Sequence, residues 1–261
     1  MNTKVWLNGY NGRMGKEIAE EAKLISKLSI VGGSGHNFLK NLLQEKESYT
    51  SEDLLRSIKD VDLIIDFSNV TGNQSLLEVA GSLNSKSFLI GTTGLQREAR
   101  DQWKAIAKEN GHKILFAPNT SLGVLLTMKT CQQIAKVLSP KGFDIEIIES
   151  HHRNKVDSPS GTAMLLADRI CDVVPLKPVT ARDSKREKNE IGVFALRGGS
   201  VFGEHEVKFM GDSEELSVSH RALSRTLFAK GALLLGEWIH KQKKSGHYGL
   251  TDISLEDIAF H

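Results

Sequence analysis

The sequence predicts an α/β protein in which a doubly wound parallel sheet is followed by a second α+β domain with an open, mixed or antiparallel sheet. Three observations support this prediction. Before Ser121, short and nearly continuous apolar strands alternate with helical segments, which is typical of a parallel sheet covered by helices on both faces. After Ser121 this alternation gives way to a long helical stretch. Beyond Glu190, strand-like runs are interrupted by glycines, which indicates antiparallel pairing.

The elements of the first domain follow from hydrophobic periodicity and from the residues that favour turns. We predict strands at residues 4–8, 29–32, 61–66, 87–90 and 113–117. We predict helices at residues 15–28, 72–83 and 97–110. Right-handed crossover connections place such helices over the two faces of the sheet in turn.

The second domain begins at residue 122 by the same criteria. We predict helices at 122–138, 162–174 and 223–240, and strands at 143–149, 192–196, 204–210 and 215–219. The predicted domain boundaries are therefore 1–121 and 122–232. We expect the C-terminal segment 233–261 to pack back on the first domain.

The overall composition favours a small-molecule partner. Lys and Arg total 34 and Asp and Glu total 32, and the resulting net charge of +2 is too small to indicate binding to nucleic acid or to a membrane surface. No apolar run approaches the roughly 18 residues of a membrane span, and the N-terminus lacks the apolar core of a secretion signal, so we expect a cytoplasmic protein. Cys131 and Cys171 match no zinc or redox spacing, and we interpret both as core residues without a disulfide.

A glycine-rich turn lies between the first predicted strand and the first predicted helix. Its sequence is Gly9-Tyr10-Asn11-Gly12-Arg13-Met14-Gly15. In a Rossmann fold such a turn brings backbone N–H groups and a helix N-terminus against the pyrophosphate of a dinucleotide. Asn11 takes the place of the usual second glycine, and we interpret it as a residue that tolerates a left-handed backbone. This position favours a Rossmann-type, dinucleotide-binding first domain over a plain tight turn.

The other half of the dinucleotide signature is missing. An NAD-binding domain usually carries an acidic residue at the end of its second strand, where it binds the ribose 2′-hydroxyl. Here the predicted strand is followed by Gly33, Ser34, Gly35 and His36, without a carboxylate. Nothing there repels the 2′-phosphate of NADPH, and no arginine is placed to attract it. The sequence therefore leaves NADPH or NADH open as the cofactor and slightly favours NADPH or the use of both.

The densest group of reactive side chains lies in the segment 149–163. It brings His151, His152, Arg153 and Lys155 within five residues, and a Pro-Ser-Gly-Thr sequence then leads into a helix. The first N–H groups of a helix have no partner within it and bind anions well. This combination favours a carboxylate ligand, although a phosphate would satisfy the same groups.

Three other interpretations of this segment stay open. Paired histidines bind metals in some proteins, but adjacent side chains on an extended segment point to opposite faces, and no HExxH motif is present. A nucleophilic role for Ser158 or Ser160 lacks the GxSxG turn that exposes such a serine. An ordinary polar surface loop is the third interpretation.

Five segments together resemble one enzyme family over nearly the whole chain. They are GYNGRMG at 9–15, GTTG at 91–94, APNTS at 117–121, EIIESHHRNKVDSPSGTA at 146–163, and the stretch 197–232. They resemble the bacterial 4-hydroxy-tetrahydrodipicolinate reductase (dihydrodipicolinate reductase) family of lysine and diaminopimelate biosynthesis. The resemblance implies a Rossmann domain, a substrate-binding and oligomerisation domain, and a homotetramer. It also implies hydride transfer from NADPH or NADH to a cyclic, unsaturated dicarboxylate.

The resemblance also implies roles for individual residues. His151 and Lys155 match the catalytic acid/base pair, and His152, Gly161 and Thr162 match contacts to the substrate. The residues that match cofactor contacts are Gly9, Tyr10, Asn11, Gly12, Arg13, Met14, Gly91, Thr92, Thr93, Ala117, Pro118, Asn119 and Thr120. Two positions depart from the family pattern, because Gly33 stands where an acidic residue is common and Thr120 where a phenylalanine is common. No metal is implied.

The chemistry of these residues is consistent with a dianionic substrate. Lys155 and the N–H groups of Gly161 and Thr162 can bind a carboxylate, and His151, with an ordinary pKa near ~6.5, can supply a proton. The sequence does not decide whether His151 or Lys155 is the proton donor. Two other functions stay open: an NAD(P)H-dependent dehydrogenase of another dicarboxylate, and a catalytically silent Rossmann protein that senses the redox state of its nucleotide.

Overall fold

The computed structural model describes residues 2–25, 27–36, 38–41 and 44–259. Residues 258 and 259 are described by their backbone alone. The chain divides into two compact units. The first comprises the chain up to Ser121 together with the chain from Thr226 onward, and the second comprises Leu122–Arg225. Ser26, in a predicted helix, and Phe260 and His261, in the predicted C-terminal segment, lie outside the described residues.

Strands and helices are numbered along the chain. The strands are β1 (Thr3–Asn8), β2 (Leu28–Gly35), β3 (Phe38–Asn41), β4 (Glu45–Lys46), β5 (Leu63–Asp66), β6 (Ser87–Ile90), β7 (Lys113–Phe116), β8 (Asp144–His151), β9 (Lys177–Val179), β10 (Glu190–Arg197), β11 (Glu204–Met210), β12 (Glu215–Arg221) and β13 (Gly246–Gly249). The helices are α1 (Arg13–Ala22), α2 (Ser51–Ile58), α3 (Val70–Ala80), α4 (Arg97–Glu109), α5 (Leu122–Leu138), α6 (Gly161–Cys171), α7 (Thr226–Lys241) and α8 (Leu255–Ala259). The elements β3, β4, α2, β9, β13 and α8 are absent from the sequence prediction.

The first unit contains a Rossmann-type sheet. Its strand order is β13-β7-β6-β5-β1-β2-β3-β4, and the pairs from β13 to β2 are all parallel. The strands β3 and β4 extend the sheet as an antiparallel edge. Because β1 lies between β2 and β5, the order reverses there, and ligands bind at such reversals in doubly wound sheets.

Large apolar side chains fill the core of the first unit. Trp6, Phe88 and Trp103 are fully buried, and the rings of Phe88 and Trp103 pack 5.0 Å apart. The indole N–H of Trp103 donates a 3.0 Å hydrogen bond to Oδ1 of Asn73, so the one polar atom of this ring is satisfied. Truncation of one of these side chains to alanine is expected to cost about 3–5 kcal/mol.

The C-terminal part of the chain completes the first unit. Helix α7 packs against α1 and against β5, β6 and β7, and β13 then pairs with β7 in parallel. This return begins at Thr226, which precedes the predicted residue 233, because α7 is one continuous helix. Gly236 permits its close approach to the sheet, since a Cβ there would lie 3.0 Å from a methyl group of Leu63.

The second unit contains a mixed five-stranded sheet of order β12-β11-β8-β10-β9. The predicted antiparallel pairing is found for β11, which pairs antiparallel with β8 and with β12. It is wrong for β10, which pairs parallel with both β8 and β9. The physical reason is the crossover through α6, which returns the chain to the sheet in the same direction.

The two faces of this second sheet differ. Helices α5 and α6 pack on the face that carries Ile145, Ile147 and Glu149 of β8. The opposite face carries apolar side chains such as Leu196, which is 60% exposed, beside charged ones such as Lys208. The strands β9 and β12 form the two edges.

In the part of the chain that the structure describes, no helix is both long enough and apolar enough to cross a bilayer.

Candidate active site

A cleft of about 680 Å³ lies in the first unit at the carboxyl ends of β1, β2 and β5. This is the place where the strand order reverses. Three of the residues assigned to the cofactor, Gly9, Asn11 and Gly12, line the cleft. The glycine turn is therefore part of its wall.

The backbone of this turn needs glycine at two positions. Gly9 has φ of +88°, and a Cβ there would lie 2.5 Å from the carbonyl oxygen of Phe67. A Cβ at Gly15 would lie 2.2 Å from the carbonyl oxygen of Gly9. The interpretation of Asn11 as a residue with a left-handed backbone is wrong, because its φ is not positive. Among the non-glycine residues that the structure describes, only Ser85 has a positive φ. Asn11 instead places its side chain against Gly35, where an added Cβ would meet Oδ1 at 2.1 Å.

The second strand ends later than the sequence indicates. Its glycines lie inside β2 because other groups approach them closely: a Cβ at Gly33 would lie 2.4 Å from Cβ of Tyr10. The Tyr10 ring stacks on Phe38 at 5.9 Å, and Tyr10 is not among the residues that line the cleft. Gly35 and His36 line it instead. The residue that faces the cleft at the end of β2 is thus His36 and not Gly33.

Part of the lining of the cleft comes from residues that the sequence analysis does not single out. Ser48, Tyr49, Thr50 and Ser51 line it where the chain enters α2. Thr50 caps this helix, since its side chain accepts a hydrogen bond from the backbone of Asp53 and the Asp53 carboxylate accepts one from Thr50. The sequence signal for this element is the capping pattern of Thr50 and Asp53, followed by apolar residues at helical spacing, Leu54 and Ile58.

The remaining cofactor assignments lie at the carboxyl ends of neighbouring strands or at the start of α1. Thr92, after β6, donates a 2.8 Å hydrogen bond to Asp66, a fully buried carboxylate that also accepts hydrogen bonds from Asn8, Ser68 and Asn73. Thr120, after β7, is buried and donates to the carbonyl oxygen of Phe228. The assigned residues that do not line the cleft are Tyr10, Arg13, Met14, Gly91, Thr92, Thr93, Ala117, Pro118, Asn119 and Thr120.

In the second unit, the end of β8 and the start of α6 bring the reactive segment together. His151 is the last residue of β8, and Glu149 lies two positions earlier, on the same face of the strand. Glu149 is fully buried and its carboxylate has three partners. It accepts hydrogen bonds from Nδ1 of His151, from the backbone N–H of Ser160 at 2.9 Å, and from both terminal nitrogens of Arg197 at 2.7 and 3.0 Å.

These contacts fix the charge of Glu149. Burial by itself raises the pKa of this carboxyl group, but the hydrogen bonds from Arg197, His151 and Ser160 outweigh burial and hold its pKa below the ordinary value. An ionised carboxylate only accepts hydrogen bonds, so Nδ1 of His151 carries the proton. Burial, followed by the charges of Lys155 and Arg197, lowers the pKa of His151, whereas Glu149 raises it; the net shift is downward.

A second histidine packs against His151. The His205 ring lies 5.2 Å from that of His151 in an edge-on arrangement. Its Nε2 lies 3.2 Å from the hydroxyl of Ser160, the residue that caps α6. Burial lowers the pKa of His205 to about 4, so this ring is neutral near neutral pH. The Ser160 hydroxyl accepts a hydrogen bond from the backbone N–H group of Ala163 and so caps α6, a role that needs no nucleophilic chemistry.

An anion site is formed by Lys155 and the start of α6, and a side chain of the protein occupies it. The Asp157 carboxylate lies 2.7 Å from Nζ of Lys155 through one oxygen and 3.3 Å from the backbone nitrogen of Gly161 through the other. Burial raises the pKa of Asp157, but the hydrogen bond and charge of Lys155 outweigh it and lower that pKa overall. Lys155 and the backbone N–H group of Gly161 therefore both contact the side-chain carboxylate of Asp157.

The other assigned residues of this segment lie close by. His152 and Thr162 are half-buried, and Gly161 is exposed at the first position of α6. In the described residues, no group of three or more His, Cys, Asp or Glu side chains is arranged to bind a metal ion. The sequence analysis does not single out the contacts of Glu149 with His151 and Arg197, although the two-residue spacing of Glu149 and His151 on a strand is a signal for the first contact.

Comparisons with known proteins agree along nearly the whole chain. Residues 3–120 match the family model described as dihydrodipicolinate reductase, N-terminus, and residues 123–253 match the model described as its C-terminus. The 4-hydroxy-tetrahydrodipicolinate reductase of Aquifex aeolicus (strain VF5) is 39% identical over 266 residues, covering 97% of this chain and 99% of that protein. The protein of the same name from Sulfurimonas denitrificans is 39% identical over 257 residues, covering 95% and 98%.

Among solved structures, the dipicolinate-bound dihydrodipicolinate reductase from Paenisporosarcina sp. TG-14 has the same fold. It aligns with a TM-score of 0.78 at 24% identity, and the alignment covers 97% of this chain and 100% of that one.

Proposed function

The chain belongs to the dihydrodipicolinate reductase family, and we propose that it is an NAD(P)H-dependent 4-hydroxy-tetrahydrodipicolinate reductase of lysine and diaminopimelate biosynthesis. The reaction transfers a hydride to a cyclic, unsaturated dicarboxylate and, with loss of its 4-hydroxyl group as water, gives tetrahydrodipicolinate. One observation carries the proposal beyond family membership. A proton-bearing histidine held by a buried carboxylate and a lysine that already binds a carboxylate lie on one short segment, from Glu149 to Gly161.

The second unit supplies the substrate site in this proposal. Lys155 and the N–H group of Gly161 bind one carboxylate of the substrate in place of Asp157, and Thr162 and His152 provide further polar contacts. The positive charge of Lys155 also stabilises the negative charge that develops on the substrate during hydride transfer.

His151 is the proton donor in this proposal, and Lys155 the group that binds and neutralises the carboxylate. The product lacks the 4-hydroxyl group of the substrate, so this group leaves as water. Addition of a hydride to the unsaturated ring leaves an electron pair that takes up one proton, so the whole reaction consumes one hydride and one proton and releases one water molecule. The imidazole of His151 holds that proton on Nε2 when the ring is charged, and Glu149 stabilises the charged ring. Afterwards the neutral ring is reprotonated from solvent.

The first unit supplies the nucleotide site. The cleft fits a dinucleotide because a glycine turn forms part of its wall and because it lies where the strand order reverses. The tight backbone of this turn leaves no room for a Cβ at Gly9 or Gly15. A bound nicotinamide nucleotide would supply the hydride. His36, and no carboxylate, stands at the end of β2, so we propose that NADPH binds at least as well as NADH.

We also propose a cytoplasmic homotetramer. The open face of the second sheet carries the exposed Leu196, and β9 and β12 lie at its edges, where symmetry-related copies can pack. Light scattering at micromolar concentration should give about four times the 28.8 kDa of one chain. A stable mass of one chain contradicts this assembly.

A coupled assay tests the proposed activity. The purified protein should oxidise NADPH, followed by the loss of absorbance of the reduced nicotinamide, when 4-hydroxy-tetrahydrodipicolinate is generated in the same cuvette. Oxidation with another dicarboxylate alone identifies a different dehydrogenase. Nucleotide binding without turnover of either substrate identifies a redox sensor.

A further inference from the structure

We infer that Glu149 and Arg197 are positioning residues for the reaction: Glu149 holds Nδ1 of His151 so that Nε2 is the nitrogen available for proton transfer, and Arg197 holds Glu149 in place. This inference rests on the proposed role of His151 and adds two residues to it. Neither residue is among those assigned from the sequence.

The geometry leaves Glu149 a single orientation. One oxygen faces Nδ1 of His151 and a terminal nitrogen of Arg197, and the other faces the backbone of Ser160 and the second terminal nitrogen of Arg197. A bidentate contact of this kind fixes the plane of a carboxylate as well as its position. Since the side chain is fully buried, water does not compete for these sites.

The consequence for His151 concerns the choice between its two nitrogens. A neutral imidazole carries its proton on one nitrogen only, and a carboxylate at Nδ1 selects the form with Nδ1–H. Nε2 then has a lone pair, can accept the catalytic proton, and can pass it on. Among the described residues no hydrogen bond engages Nε2, which faces the backbone of Gly203; a Cβ there would lie 2.8 Å from it.

Three charged groups and one neutral titratable group surround His151. Glu149 on β8 is the anion, Lys155 on the following loop and Arg197 on β10 are cations, and His205 on β11 is neutral near pH 7. Burial and the two cations lower the pKa of His151, and Glu149 is the group that raises it. Loss of the Glu149 charge therefore lowers this pKa further and disfavours the charged, proton-donating ring.

Arg197 connects this pair to the substrate segment. Besides its two contacts with Glu149, it donates a 2.6 Å hydrogen bond to the carbonyl oxygen of Asp157. The same guanidinium therefore fixes the orienting carboxylate and the backbone next to the anion site. Lysine, which lacks the planar fork, cannot make all three contacts at once.

The first test uses the wild-type protein. In ¹⁵N NMR spectra of histidine-labelled protein, neutral His151 should show a protonated Nδ1 and an unprotonated Nε2, assigned with a His151→Gln variant. Observation of the opposite tautomer overturns the inference, whether or not the protein reduces the proposed substrate. This readout is therefore independent of the proposed function.

The second test uses Glu149→Gln, with Glu206→Gln as the matched control. Glu206 lies on the neighbouring strand β11, on the other face, where it pairs with Lys208. We expect kcat of Glu149→Gln at pH 7.5 to fall by about 100-fold, the scale of a misplaced general acid, with KM changed by less than about twofold. The fall of kcat with rising pH should move to lower pH, while Glu206→Gln keeps the wild-type profile.

Arg197→Lys tests the role of Arg197, because it keeps the positive charge but removes the planar guanidinium. It should lower kcat and shift the pH profile in the same direction as Glu149→Gln. An unchanged kcat and pH profile in a folded Glu149→Gln variant overturns the inference. So does a loss that appears only as a higher KM, since that outcome describes substrate binding rather than proton transfer.

Discussion

The carboxylate of Asp157 lies 2.7 Å from the ammonium group of Lys155, two residues before it in the chain. Its second oxygen reaches the N–H group of Gly161 at 3.3 Å. Asp157 thus contacts the two groups that the proposed function gives to a substrate carboxylate, and it competes with such a ligand for them.

Asp157→Asn should therefore bind pyridine-2,6-dicarboxylate more tightly than the wild-type protein does. The amide is uncharged and competes less well for Lys155, so we expect Kd to fall by about three- to tenfold, on the scale of one exposed ion pair. Isothermal titration calorimetry measures this. Weaker binding by the variant would mean that Asp157 positions Lys155 for the ligand instead of competing with it.

The Gly161→Ala substitution should weaken ligand binding without changing the stability of the fold. A Cβ at this position meets no protein atom within 4 Å, so the variant should keep the wild-type Tm. The added methyl group stands at the first N–H groups of α6 and should raise the KM for the dicarboxylate by at least about tenfold, since it holds the carboxylate away from them. Gly81→Ala, at the end of α3, is the control, because a Cβ there also meets nothing within 4 Å. Equal kinetics for the two variants would place the substrate elsewhere.

Lys155→Met and Thr162→Ala should affect different kinetic constants. Methionine has a similar length without the charge, and we expect kcat to fall by at least ~100-fold because charge stabilisation in the transition state is lost. Thr162 contacts ground state and transition state alike in the proposal, so its truncation should chiefly raise KM. Full turnover by a folded Lys155→Met variant that still binds nucleotide would remove this segment from the catalytic site.

Because His205 is buried, we expect the free energy of unfolding to decrease at acidic pH. Burial lowers its pKa from 6.5 to about 4 in the folded state, so the unfolded chain binds the proton more readily between these values. The free energy of unfolding should fall as the pH drops below 6.5, by about 2 kcal/mol at pH 5 from this residue. Denaturant titrations at pH 8 and pH 5 measure the difference, which should shrink in His205→Gln. A pH dependence unchanged in that variant would assign the loss to other groups.

His36→Glu should change the nucleotide preference. A carboxylate at the end of β2 accepts hydrogen bonds from the ribose hydroxyls of NADH and repels the 2′-phosphate of NADPH, so we expect the ratio of the two Kd values to shift toward NADH by at least about tenfold. Gly33, the position that the sequence suggests for this change, is unsuitable because a side chain there collides with Tyr10. His36→Gln controls for loss of the imidazole. An unchanged ratio would mean that the 2′-substituent does not lie near His36.

Local patterns in the sequence predict the parts of the site that are contiguous in the chain. The glycine turn and the segment from His151 to Thr162 are short motifs whose residue types carry their own chemistry. Arg197 and His205 meet Glu149 and His151 only because β10 and β11 flank β8 in the sheet, and no local pattern contains that pairing. The sequence analysis ends β2 too early for a related reason. The glycines of this strand do not end it but make room for Tyr10 and Asn11, which come from another part of the chain.

The most direct test of the proposed reaction follows the hydride itself. NADPH deuterated at the hydride-donating carbon is incubated with the protein while 4-hydroxy-tetrahydrodipicolinate is generated in solution, and the product is examined by mass spectrometry. The proposed reaction predicts tetrahydrodipicolinate that carries one deuterium, formed by the wild-type protein at a rate at least ~100-fold above that of Lys155→Met. Undeuterated product, or no product from a protein that binds NADPH, would contradict it.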